Sequence, residues 1–389
     1  MTPAWAVCLL AATDAVRAQD AEPLSITLVP ETALDAARLD PAGARADISG
    51  KAGSRPLPDE SAVLATLRAL PPGFRRSETT HFVVLSDCPI GWTRARETLL
   101  ERTRHQFLRA AEKLQVKPPP PRVKLLCVLI NKHETFRAFG RAHDGLDAGW
   151  VAGYYAASAN RIVFYNDAAS PEYDAVWKQL DDYQRQADDA RRRGDAARAD
   201  GQPPLADRLF AAADDLEGRV RTERSRLRKQ AADFSTAKTI HEAVHLLSFN
   251  TGLQRRDADY PFWLSEGLAS SFETEDPTRA FGPDREGPTA RRARLKELAL
   301  RGESPRVADV VTLSRTAMLE ADAAEAMYAV SAGLFSYLYR HERAALTLYL
   351  RSLSALAPQR LTPPRHLELF VRHFGDPSIV ELRMLAELR

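Results

Sequence analysis

The stretch TIHEAVHLLSFN, residues 239–250, sets two histidines four positions apart in an otherwise apolar run. At 3.6 residues per turn, such a pair projects from one helix face, so His241 and His245 can share a single metal ion. Neutral imidazole is a good zinc ligand, and Glu242 beside the pair is placed to take a proton from water that a cation has acidified. Asn250 and Gly252 supply a helix stop, and Asp259 and Pro261 a new helix start, so the text predicts an active-site helix at 233–250 and a second at 261–274. Two of the five HExxH positions are free. A third ligand therefore separates a metal site from two packed histidines.

That ligand is sought in the next helix. WLSEGLASSFE, residues 263–273, resembles the WLNEGFA-type segment of the gluzincin metallopeptidases, whose glutamate is the third zinc ligand; the matching residue is Glu266. The resemblance implies Zn2+ held by His241, His245 and Glu266, two nitrogens and one oxygen with a fourth position left for water, as catalytic rather than structural zinc requires. It also implies Glu242 as general base. A tyrosine or histidine beyond the ligand glutamate often supports the oxyanion in such enzymes, and Tyr328 in AMYAVSAGLF is the candidate, with Tyr154 and Tyr155 as alternatives. The other reading of Tyr328 is a packed ring on a helix shared with Met327, Leu334, Phe335 and Leu338. Glu273 follows Glu266 by two helical turns, where it is either a hydrogen-bond acceptor for the outer nitrogen of a ligand histidine or a surface carboxylate. Ser270 stands where thermolysin-like enzymes carry an acidic residue, and GWVAGYY replaces the GAMEN-type segment of aminopeptidase N, so neither subfamily is implied. Taken whole, residues 78–385 are similar to a bacterial peptidase-MA-like family of unknown function.

Outward from this core, the chain reads as an α+β fold: a small mixed β-sheet, a zincin-type active-site helix, an inserted antiparallel helical hairpin and a helical C-terminal region. Residues 1–18 are a possible signal peptide, with the apolar run AWAVCLLAA and a small-residue site ending at Ala18. Residues 19–75, rich in Pro, Gly, Ala and Asp, read as a linker or loosely ordered arm. Residues 76–170 form the α/β part of a catalytic domain. THFVVLSD, a helix over 95–114 and VKLLCVLIN make a βαβ-like opening, and GWVAGYYAASANRIVFYND reads as two strands turning at Ser158-Ala159-Asn160, a possible sheet edge. Residues 171–231, with apolar positions at three- and four-residue steps and a break at Gly201-Gln202-Pro203-Pro204, predict the hairpin. Residues 232–285 hold the zinc-binding core, and 286–389 carry helical patterns separated by Pro and Gly.

Lys and Arg total 54 against 52 Asp and Glu, a formal charge of +2 that gives no field steering toward nucleic acid or acidic lipid. Arg191-Arg192-Arg193 is most simply the solvated face of a hairpin helix. Beyond the leader, no run approaches the roughly 20 apolar residues of a membrane span. Removal of a leader takes Cys8 and leaves Cys88 and Cys127, which an oxidising compartment pairs if they are neighbours and which are otherwise two buried thiols. The resulting expectation is a secreted or periplasmic zinc metallopeptidase acting on a peptide or protein substrate. The alternative is a zinc-containing binding or scaffold protein without turnover that uses the hairpin.

Overall fold

Three largely apolar runs set the sheet. FVVLS, LLCVLI and RIVFY are buried at every position, as strands covered on both faces must be. In the computed structural model, which describes residues 56–116, 122–146, 152–285, 289–313 and 321–388, they are β2 (Phe82–Ser86), β3 (Leu125–Ile130) and β5 (Arg161–Tyr165). With β1 (Arg75–Glu78) and β4 (Gly153–Ala156) they form a mixed sheet in the order β1-β2-β3-β5-β4. β2, β3 and β5 run parallel, and each outer pair is antiparallel. Helix α2 (Ile90–Lys113) makes the crossover from β2 to β3, so the βαβ opening is present. β4 is the sheet edge, joined to β5 by a turn in which Asn160 takes a left-handed φ of 49°. The fold is α+β, as expected.

The described residues fall into two units, one of 56–165 and 236–388 and the other of 166–235. The first holds the sheet, two helices beside it, α1 (Glu60–Ala69) and α3 (His133–Phe139), and the C-terminal helices. These are α6 (Phe262–Ser270), α7 (Ala290–Arg301), α8 (Val307–Thr312), α9 (Ala321–His341), α10 (Arg343–Ala355), α11 (Pro363–Phe374) and α12 (Pro377–Ala386). Trp263, fully buried on α6, stacks 5.7 Å from Tyr349 of α10 and meets the edge of Phe370 of α11, which fixes α6 in the helical layer. In the second unit, α4 (Pro171–Ala199) is followed after Gly201 by α5 (Pro203–Asn250), whose residues from 236 on belong to the first unit. Arg224 pairs with Asp181, Arg191 with Glu217 and Arg198 with Asp207, each pair nearer the turn than the last, so the arms are antiparallel. Ala187, Ala197, Ala206, Ala213, Val220 and Leu227 are buried. Arg191 and Arg192 are both occupied by carboxylates of the hairpin.

Some boundaries differ from the sequence reading. The active-site helix is not separate: α5 runs 48 residues from Pro203 to Asn250, because no proline follows Pro204 within it and its single glycine, Gly218, stays helical. α6 stops at Ser270 rather than 274, since Phe272 and Glu273 bond back to Ala269 and Ser270 in tight turns. Helix α1 lies inside the stretch read as an arm. Asp59 caps it through a 3.1 Å bond from the Ala62 amide, and Val63, Thr66 and Leu70 are its buried side. Cys88 and Cys127 are buried free thiols, not a disulfide. Cys127 faces Val84 across the sheet, whereas Cys88 lies past the end of β2, so they are not register partners. Burial pushes the Cys88 thiol up to about 12, which leaves it protonated and unreactive at neutral pH. Residues 1–55, with the leader and Cys8, lie outside the described residues. No helix among those described is long and apolar enough to cross a membrane.

Candidate metal centre

The last turns of α5 carry Lys238, His241, Glu242 and His245, all buried although all are polar. Burial of four such groups is costly unless each finds a partner or a metal. The i, i+4 spacing brings His241 Nε2 and His245 Nε2 to 3.1 Å. Glu266, in the second turn of α6, places Oε2 3.2 Å from the first nitrogen and 3.5 Å from the second. His241, His245 and Glu266 are the group among the described residues whose ligand atoms converge in a metal-sized cluster, all within 4.8 Å of one another.

Glu273 reaches the same histidine from the turn after α6. Its Oε1 accepts from His241 Nδ1 at 2.8 Å, and its Oε2 accepts from Arg291 Nε of α7 at 3.2 Å. With Nδ1 donating to Glu273, the Nε2 of a neutral His241 is a bare lone pair pointed at the Glu266 carboxylate. Two lone pairs at that distance repel unless a cation lies between them. The proton affinities express the same need. Burial depresses His241, yet the hydrogen bonds to Glu266 and Glu273 outweigh it and raise the imidazole to about 10. Burial raises Glu266, but His245 and His241 bring it down to about 2. His245 is lowered, mainly by burial, and remains a neutral ligand. Glu273 is held below its usual range by Arg291 and His241 against the effect of burial.

Metal bonds of about 2.0 to 2.1 Å in tetrahedral geometry set ligand atoms roughly 3.4 Å apart, so separations of 3.1, 3.2 and 3.5 Å suit a shared metal ion. Residues 235–360, which contain all of these groups, match the family model described as Protein of unknown function (DUF1570). No curated protein and no solved structure matches the chain.

Glu242, next to His241, stands outside this set of paired groups. Both of its carboxylate oxygens are buried without a hydrogen-bond partner among the described residues, and burial lifts the acid to about 8. The edge strand approaches it closely: a Cβ on Gly153 would sit 3.3 Å from Glu242 Cγ, 3.4 Å from Lys238 Cδ and 2.9 Å from Phe164 Cβ. Only glycine lets β4 lie this near α5. Lys238, one turn before Glu242, donates to the Tyr165 carbonyl at 2.8 Å and lies 4.4 Å from the Tyr165 ring centre.

A cleft opens beside His245 and Glu266, lined also by Tyr155, Phe249, Arg256, Tyr260 and Ser265. Tyr328 is not among its walls. It is 1% exposed, edge-on to Phe262 at 5.0 Å, under the Arg291 guanidinium at 5.0 Å, and 6.4 Å from the His241 ring. It thus packs on the Glu273 side of His241. Tyr154 gives its hydroxyl to Asp144, whereas Tyr155 lines the cleft. Sequence reasoning missed Lys238, Arg291 and Arg256. Lys238 had a local signal, four residues before Glu242; Arg291 and Arg256 join the site only through tertiary packing.

Proposed function

We propose that the chain is a zinc-dependent metallopeptidase. The observation that carries the reading is the convergence of two imidazole nitrogens and one carboxylate oxygen in a buried cluster, with an unpaired carboxylate on the adjacent residue. His241, His245 and Glu266 are the residues to hold the ion. Zinc bound there supplies Lewis acidity that polarises the scissile carbonyl and makes water a better acid. Glu242 receives the proton of the attacking water and passes it to the leaving amine; both of its carboxylate oxygens are buried with no hydrogen-bond partner among the described residues. Glu273, backed by Arg291, keeps the Nδ1 proton on His241 and so directs Nε2 to the ion. β4, an edge strand of the sheet whose Gly153 lies against Glu242, offers backbone groups to an extended peptide.

The test is metal analysis of the purified chain together with hydrolysis of a mixed peptide library by the zinc-loaded protein. About one zinc per chain and chelator-sensitive cleavage support the reading. Stoichiometric zinc without cleavage of any peptide transfers it to the non-catalytic binding protein.

A further inference from the structure

Arg256 is the cation at the rim of the cleft that has no carboxylate. Its neighbour Arg255 is bound to Asp257 at 2.7 and 2.9 Å, and Asp259 is held by the Leu361 amide at 2.8 Å and lies 3.6 Å from His366. Arg256 turns instead toward α5, where Nη2 donates to Asn250 Oδ1 at 2.8 Å. Asn250 is itself fixed, exchanging amide hydrogen bonds with Asn160 at 2.8 and 3.0 Å and donating to the Leu246 carbonyl at 2.7 Å. Asn160 also accepts from the Tyr155 hydroxyl at 3.1 Å. This network joins the β4–β5 turn to the end of α5 and holds the guanidinium in place. Among the described residues no acidic side chain pairs with it.

A guanidinium has five donors in a planar fork matched to a carboxylate, and among the described residues those of Arg256 meet only Asn250 and the Tyr155 hydroxyl. Below it the cleft is aromatic. Phe249 stacks on Tyr155 at 5.5 Å and meets Tyr260 edge-on at 6.4 Å, and Ala157 and Ala258 complete the lining. His245 and Glu266 line the same cleft. One cleft therefore offers an anchored cation, an apolar wall and the metal ligands.

We propose that Arg256 recognises a carboxylate of the substrate, so that the preferred peptides carry a carboxylate next to a large apolar side chain. This deepens the peptidase reading and rests on it for the substrate being a peptide. The carboxylate is either the C-terminal one of a short peptide or an acidic side chain. Arg256 binds substrate and takes no part in proton transfer.

The experiment measures binding apart from turnover. N-terminally fluorescein-labelled hexapeptides ending in Phe or Gly, each as free acid and as amide, and a third set of amides with an internal Asp, are titrated into the zinc-loaded protein by fluorescence anisotropy. Each is also incubated to score cleavage. The proposal expects the free acid ending in Phe to bind at least about tenfold more tightly than its amide, the weight of one charge-assisted pair, and more tightly than the Gly peptide. Arg256→Ala erases the acid preference and Arg256→Lys restores part of it, with unfolding midpoints unchanged because the side chain is exposed. Equal gain from internal Asp assigns the site to acidic side chains; no gain assigns it to the C-terminus. Equal binding of acids and amides, a preference that survives in Arg256→Ala, or no binding by any peptide overturns the proposal. Cleavage without acid preference leaves the peptidase reading standing and removes this one, whereas acid preference without cleavage does the reverse.

Discussion

Gly267→Ala tests whether the metal centre depends on how closely α6 approaches α9. Gly267 follows Glu266 directly, and a Cβ there would overlap the Ser331 carbonyl oxygen and come within 2.9 Å of its carbon and 3.0 Å of Phe335 Cβ. Ser331 and Phe335 belong to α9 and are buried, so neither gives way by swinging into solvent. Restoring the 2.9 Å approach to the roughly 3.5 Å of an ordinary carbon contact moves α6 by about 0.6 Å, and relief of the oxygen overlap needs more. Metal–ligand distances tolerate about 0.2 Å, so Glu266 leaves coordination range before the helices are comfortable. The overpacking itself costs about 1 to 3 kcal/mol, less the modest gain from replacing a helical glycine. The assay is urea unfolding of the metal-free variant followed by circular dichroism, paired with zinc competition against a chromophoric chelator. Gly218→Ala on α5, where a Cβ meets nothing within 4 Å, is the control and gains about 0.5 to 1 kcal/mol. Wild-type stability and wild-type zinc affinity in Gly267→Ala would refute the reasoning.

Three further outcomes follow from the same geometry. Glu273→Ala removes the acceptor 2.8 Å from His241 Nδ1, and zinc affinity by chelator competition falls about 10- to 100-fold; unchanged affinity excludes the positioning role. Gly153→Ala pushes β4 against Phe164 and Glu242, so turnover drops while zinc content measured by atomic absorption stays near wild type. In the metal-free protein, Glu242 has a folded-state pKa of about 8, above its unfolded value of 4.5, so its neutral form contributes stability that is present at low pH and is lost as pH rises between those values. Urea midpoints should fall across that interval, by about 1.4 kcal/mol of stability per pH unit at most, and Glu242→Gln should flatten that part of the profile. A profile unaffected by the substitution is the contrary result.

The residues legible in the sequence are those whose meaning is local. HEAVH places two nitrogens on one helix face by its spacing alone, and SEGLA places an acid on the next helix, whatever the rest of the chain does. The buried strands were readable for a similar reason, since FVVL and LLCVLI are apolar without interruption. Glu273 was singled out by helical spacing, yet it meets His241 from a turn, because α6 ends three residues earlier. Tyr328 carried no local sign of which side of His241 it would pack on. Arg291, Arg256 and the Asn160–Asn250 pair depend on contacts between segments far apart in the chain, which periodicity does not encode. The continuous α5 was missed because a change in composition from charged to apolar near 232 resembles a boundary, although nothing in the backbone requires a break there.

The most direct measurement is peptide turnover and zinc content of Glu242→Gln beside the wild type. Gln keeps the size of the side chain, cannot accept the proton, and leaves His241, His245 and Glu266 untouched. About one zinc per chain in both proteins, with kcat lowered by about 10² to 10⁴ in the variant, is the result the account predicts. Equal zinc content with near wild-type kcat would contradict it, since the chemistry would then lie with another residue.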